Sequence, residues 1–205
     1  MIFKGFTKSD FNVFSINGLD ERMAAIQNTI QPKFQAIGNE LTDTLSSLTG
    51  NEMYLHIAKH ARRTVNPPKD TWLAICSDKR GYKKHPHFQI GLFGDHVFIW
   101  LAYINELAEK QEVAKRFLNH RDDVRSMIPR DYVISVDHTK NEAEAAEQAD
   151  FTRVLQRFHD VKKAEFLVGR HIPADDPVLK NGEAIIKLAE ATFDTLMPIY
   201  KLSYK

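Results

Sequence analysis

The run Val97–Tyr103, VFIWLAY, constrains the fold more than any other stretch of this chain. It is apolar at every position, so a strand built from it must be covered on both faces. It also closes a block of short extended runs. Tyr54–Ala61, Thr71–Ser77, His87–Phe93 and Val97–Tyr103 are separated by the turn formers Asn66-Pro67-Pro68, Lys79-Arg80-Gly81 and Gly94-Asp95. The last separator is short enough for a hairpin, which makes the final two runs antiparallel neighbours.

Helical spacing flanks this block. Thr7 and Asp10 have capping-box spacing ahead of Phe11 and Phe14, and Asn17-Gly18 ends that short helix. Asp20 is read as the cap of a second helix carrying Met23, Ile26 and Ile30. Pro32 suits the first turn of a third, with Phe34, Ile37, Leu41, Leu45 and Leu48 on one face and Gly50 as its left-handed cap. After the block come a helical run from Leu107 to Val124, a strand at Tyr132–Val136 and an amphipathic helix bearing Phe151, Val154, Leu155 and Phe158. A strand at Phe166–Ile172 and a closing helix capped by Asn181 complete the chain. The acidic, alanine-rich piece Asn141–Asp150 reads as a helix start or a loop. Strands in a block, flanked by helices, predict an α+β fold. The expectation is a single domain over 1–205, a mostly antiparallel sheet of about five or six strands, and helices packed mainly on one face.

A length of 205 residues suffices for one sizeable core, and 43% hydrophobic with 27% charged residues is ordinary for a globular domain. Net charge is only +1, which argues against indiscriminate coating of nucleic acid. The single cysteine, Cys76, permits no internal disulfide. The opening MIFKGFTKSD has no apolar core followed by a small-residue cleavage site, and no apolar run approaches the roughly 20 residues of a membrane helix. A cytoplasmic location with no membrane partner is the expectation.

The charge is unevenly placed. Between His56 and Leu92, Lys59, Arg62, Arg63, Lys69, Lys79, Arg80, Lys83 and Lys84 face only Asp70 and Asp78, so that stretch carries +6. Four histidines, Trp72 and Tyr82 are interleaved with these cations, which points to a surface that meets anions. Arg62 and Arg63 beside Pro67-Pro68 form a candidate anion clamp, since guanidinium forks bind carboxylate and phosphate bidentately. The alternative is a pair of surface arginines bonded to Asp70, Asp78 or the acidic helices. The turn Lys79–Lys84, with Tyr82 or Trp72 as a stacking platform, suits single-stranded nucleic acid; the more ordinary reading, and the favoured one, is a solvated loop with Trp72 and Phe88 in the core.

His85-Pro86-His87 places two imidazoles on one strand face about 6.6 Å apart, near enough to share an ion, with His56, His60, Asp95 and His138 as third-ligand candidates. The other reading makes His85 an exposed turn residue and pairs His87 with the backbone. His56 and His60 lie in an extended run, so they line a groove rather than chelate. Asp137-His138 is an acid–base candidate weakened by the opposite directions of adjacent strand side chains. Cys76 reads as a buried thiol. With no complete ligand set, no metal or cofactor is expected. No phosphate-binding glycine loop or GxSxG motif is present.

The runs HIAKHARRTVNPPKDTW and KRGYKKHPHFQIGLF, the later DHTK, and the earlier GLDERM and IQPKF resemble the YktB-like family of bacterial proteins, a domain of unknown function, over nearly the whole chain. The resemblance implies a single-domain, cytosolic α+β protein and carries over no catalytic residue. Two functions remain in play. One is a binding protein holding a phosphate-bearing or nucleic-acid ligand in a groove rimmed by His56, His60, Arg62, Arg63, Lys79, Arg80, Lys83, His85 and His87. The other is an enzyme acting on a phosphorylated or carboxylated substrate with a histidine as general acid or base.

Overall fold

The computed structural model describes residues 2–204. Helix α1 (Lys8–Asn12) opens with the expected box, Asp10 Oδ2 accepting from the Thr7 N–H at 2.6 Å and from its hydroxyl at 3.1 Å. The same fully buried carboxylate also accepts from Lys33 Nζ at 2.7 Å, so one capping residue anchors α1 to the long helix that begins at Gln31. Helix α2 (Leu19–Ala25) is capped by Gly18, whose φ of 87° suits a residue without Cβ; Asp20 sits two positions past the cap, in the first turn. Between α2 and α3 (Gln31–Thr49) the chain never leaves the helix, passing through a π turn at Ile26–Ile30. Pro32 would clash with the preceding turn of an unbroken α-helix, and the wider turn takes up the misfit. Gly50, at φ 72°, closes α3 by donating to the Ser46 carbonyl at 3.0 Å.

The strands are β1 (Tyr54–Ile57), β2 (Asp70–Cys76), β3 (His87–Phe93), β4 (His96–Tyr103), β5 (Val133–Ser135), β6 (Glu144–Ala145) and β7 (Phe166–Pro173). They form one sheet ordered β1-β2-β3-β4-β7-β5-β6, antiparallel at every pairing. The count is therefore seven rather than five or six. The additional strand is β6, inside the acidic stretch read as helix or loop. Two residues are too few to display a period, and only their pairing with β5, Val133 with Ala145 and Ile134 with Glu144, makes them a strand. β4 lies centrally, with all eight residues buried, as its two-sided apolar sequence requires.

The remaining helices are α4 (Lys110–Asn119), α5 (Arg121–Ser126), α6 (Phe151–Asp160) and α7 (Gly182–Leu202). The predicted run Leu107–Val124 is two helices, because His120 leaves helical geometry at φ −112°, ψ 29°. Asn181 caps α7 by accepting from the Ala184 N–H at 3.1 Å. Strand residues alternate between faces. Leu73, Ile75, Phe88, Ile90, Ile99, Leu101, Phe166 and Val168 join Phe34, Ile37, Phe117, Phe158 and Phe193 from the helices in the main core. On the opposite face Phe93, Phe98, Trp100, Ala102 and Leu167 make a smaller cluster with Trp72 packed against it; no helix residue joins it, and the loop residues His60 and His138 meet Trp72 there. That loop face carries the polar chemistry. No helix among the described residues is long and apolar enough to cross a membrane.

Candidate functional site

β1 is an edge strand, so its outer side has no strand neighbour. The 77–86 loop rises beside it. Leu55, His56, Ile57, Ala58 and Lys59 on one side and Asp78, Arg80, Gly81, Tyr82, Lys83, Lys84 and His85 on the other, with Glu106, line a cleft of about 810 Å³. The loop is fastened by its own polar groups. Asp78 Oδ1 accepts from the Arg80 N–H at 2.7 Å, Asp78 Oδ2 pairs with His85 Nε2 at 3.1 Å, and the Asp78 carbonyl accepts from His56 Nε2 at 2.9 Å. The Arg80 N–H bond first, together with His85, holds the Asp78 carboxyl below its usual range. Glu106 is taken by Lys83 at 3.2 Å and by Arg62 at 3.8 Å. Lys59, Arg80 and Lys84 have no carboxylate partner among the described residues.

The groove residues inferred from sequence divide into three groups. His56, Arg80, Lys83 and His85 line the cleft. Arg62, Arg63 and Lys79 are exposed outside it; Arg63 reaches only the Asn66 carbonyl at 3.4 Å, and neither arginine pairs with Asp70 or Asp78. His60 and His87 go elsewhere. Strand β1 ends at Ile57, and His60 turns at φ 50° so that its Nε2 meets Thr71 Oγ1 at 3.1 Å. His87 is fully buried beneath the cleft, not on its rim. Its Nδ1 donates to the His85 carbonyl at 2.8 Å and its Nε2 accepts from Gln89 Nε2 at 2.8 Å, so both nitrogens are committed and the His85/His87 pair shares no ion-binding geometry. Burial drives the His87 pKa down to about 3.

Tyr82 connects the cleft to the loop face. Its ring packs on His56 and His87, at centroid separations of 5.7 and 4.9 Å, and its hydroxyl accepts from Trp72 Nε1 at 3.0 Å. Trp72, read as a core residue, is only half-buried, because its side of β2 faces loops; Phe88 on the other side is fully buried. Two imidazoles stand edge-on to the indole, His60 at 5.5 Å and His138 at 5.8 Å. Cys76 is a buried thiol, its pKa pushed up to about 11 by burial, with its Sγ 3.7 Å from His56 Nε2.

His138 has a partner that adjacency could not reveal. Its Nδ1 and its backbone N–H both donate to Glu165 Oε2 at 2.7 Å, while Glu165 Oε1 accepts from the Asn105 N–H at 3.1 Å. Glu165 is 2% exposed, just ahead of β7. Burial by itself would lower the His138 pKa, but the bond and charge of Glu165, with Asp70 and Asp137, raise it above the ordinary value. Asp70, on the same face of β2 as Trp72, is raised to about 6 by burial. One donor atom each from Asp137, His138 and Glu165 lie within 4.8 Å of one another, the spacing a cation could bridge. Each carboxylate concerned already accepts hydrogen bonds, Asp137 Oδ1 from the Thr139 N–H and hydroxyl, so the arrangement is a hydrogen-bonded His–Glu dyad.

The buried histidines have a measurable consequence. His87 at about 3, His60 at about 4 and His171 at about 3 are all held below the ordinary 6.5 chiefly by burial. The unfolded chain takes up these protons first, so their contribution to stability is complete above pH 6.5 and is lost as pH falls towards 3. Asp70 acts in the opposite sense, its raised pKa favouring the fold as pH drops from about 6 to 3.8. Urea midpoints measured from pH 7.5 to 4.5 should decline, and His87→Gln, which cannot titrate, should decline less steeply from a lower starting value. Parallel slopes for the two proteins would show that His87 is not held neutral.

Residues 6–200 match the family described as a domain of unknown function (DUF1054). The chain is 60% identical over 199 residues to the UPF0637 protein ABC2405 of Shouchella clausii, covering 97% of this chain and 94% of that protein. It is 58% identical to the UPF0637 protein OB1420 of Oceanobacillus iheyensis, covering 97% and 96%, and 54% identical to the UPF0637 protein lin1053 of Listeria innocua, covering 98% of each. An α+β chain that matches the family model across almost its whole length, and shares more than half its residues with these proteins, belongs to the DUF1054 (UPF0637) family.

Proposed function

We propose that this protein binds a phosphate-bearing anion, with single-stranded nucleic acid as its polymeric form, in the cleft between β1 and the 77–86 loop. The observation that carries the reading is the convergence on one cleft of Lys59, Arg80 and Lys84, whose charged side-chain groups form no ion pair among the described residues, with Lys83, His56 and His85 beside them. The local acids are already committed to holding the loop, so an incoming anion meets uncompensated cations. Tyr82 offers a ring at the base of the cleft on which a nucleobase can stack.

Binding of this kind releases counterions. Affinity for labelled single-stranded RNA should fall as salt rises, with a log–log slope of about −0.7 per phosphate contacted. Changing Arg80 and Lys84 together to glutamine should flatten the slope by about one to two contacts. Both side chains are exposed, so the melting temperature should hardly move. Fluorescence titration between low and physiological salt measures this. Absence of binding at low salt, or a slope indifferent to the two substitutions, would remove the cleft from consideration.

A further inference from the structure

The basic cleft leaves the chemistry beside Trp72 unaccounted for. His138 Nδ1 is fixed by Glu165, and its Nε2 makes no hydrogen bond among the described residues. Asp70 is 4% exposed, yet its carboxyl receives no hydrogen bond from any other described residue. Asp70 and Trp72 are two apart on one strand and share a face, and the Trp72 ring meets the His138 ring at 5.8 Å. A buried carboxyl bonded only to its own backbone N–H and an imidazole with one free nitrogen thus flank the same indole, near enough for each to influence the other's protonation. The indole is bonded through Tyr82 to the base of the cleft. A catalytic histidine needs a fixed tautomer, a second group behind it and an unoccupied nitrogen in front, and His138 has all three.

We propose that Asp70 and His138 form an acid–base pair that cleaves RNA by internal transesterification. The inference rests on the reading of the adjoining cleft as a phosphate and nucleic-acid site. Asp70 takes the proton of a ribose 2′-hydroxyl, and the 2′ oxygen attacks the neighbouring phosphorus. The P–O2′ bond forms as the P–O5′ bond breaks, and the departing 5′ oxygen takes the proton from His138 Nε2. The products are a 2′,3′-cyclic phosphate and a 5′-hydroxyl, with no outside oxidant, reductant or water consumed. RNA suits the site because it carries its own nucleophile, whereas the protein's only thiol is buried and held as the neutral acid. The protonation states agree with these roles. Asp70, near 6, is largely ionised at neutral pH, and Glu165 favours the imidazolium of His138. Glu165 is a positioning residue, since its carboxylate reaches only the far side of the ring.

The test uses the full chain, a chelator in the buffer, a fluorescent single-stranded RNA and the same oligonucleotide as DNA. Expected are RNA fragments ending in 2′,3′-cyclic phosphate by mass spectrometry and intact DNA. Asp70→Asn and His138→Asn, checked by thermal melting, should each lose about 100-fold or more in rate. Glu165→Gln should lower kcat and move the alkaline limb of the pH–rate profile to lower pH, while RNA affinity stays unchanged. RNA that binds the wild-type protein but is not cut overturns this inference and leaves the binding reading intact; RNA that does not bind overturns both. Cleavage that persists in His138→Asn, or that also consumes the DNA, overturns the assignment.

Discussion

Phe166→Ala should destabilise the protein by about 3–5 kcal/mol, the range for removing a large aromatic from a packed core. Phe166 is fully buried at the start of β7 and stands among three further rings, with centroids at 6.1 Å for Tyr103, 5.9 Å for Phe117 and 6.2 Å for Phe158. Those rings come from β4, α4 and α6, so the side chain joins the sheet to two helices. Tyr103 is itself tied, its hydroxyl donating to the Ile199 carbonyl of α7 at 3.3 Å, which limits how far the neighbours can close on a void. The effect should extend to function, because Glu165 precedes Phe166 and its aim at His138 depends on where β7 begins. Urea denaturation measures the loss. A change under about 1 kcal/mol would mean that the aromatic cluster collapses freely into the space.

Gly169→Ala should be comparably damaging for the opposite reason. Gly169 pairs with Trp100 on one side and Val133 on the other, at the middle of the sheet. An added Cβ would fall well inside contact distance of the Ile99 carbonyl oxygen, 3.0 Å from the Ile99 carbonyl carbon and 3.2 Å from Trp100 Cα. These are backbone atoms of the neighbouring strand, so relief requires the two central strands to part and their ladder to stretch. Overpacking ordinarily costs about 1–3 kcal/mol where side chains can shift; here the cost should lie at or above the top of that range. Soluble yield and the urea midpoint of the variant test this. A variant as stable as the parent would show that the β4–β7 pair tolerates separation.

Much of the architecture was legible in local pattern. The capping box at Thr7, the helix ending at Gly50, the hairpin at Gly94-Asp95 and the central position of β4 all follow from turn chemistry and periodicity. β6 was not, because two residues have no period and become a strand only when β5 is beside them. Trp72 misled for a related reason. An apolar run shows that a strand is covered, but not whether helices or loops cover each face, and the loop face leaves the indole half-buried.

The candidate site divides along the same line. The sequence by itself determined that cations, histidines and aromatics are concentrated between His56 and Leu92, since charge density is a property of the chain. It could not determine which of them point into one space. Tertiary structure separated His56, Arg80, Lys83 and His85, which line the cleft, from the exposed Arg62, Arg63 and Lys79, and it buried His87 between Gln89 and Tyr82. It also exchanged the partner of His138, from its neighbour Asp137 to Glu165, 27 residues away. Side chains of adjacent residues diverge, whereas a sheet brings distant segments to within a hydrogen bond. Contacts of that kind have no signature in local spacing, and only the folded arrangement of β2, β7 and the loops between them creates the dyad beside Trp72.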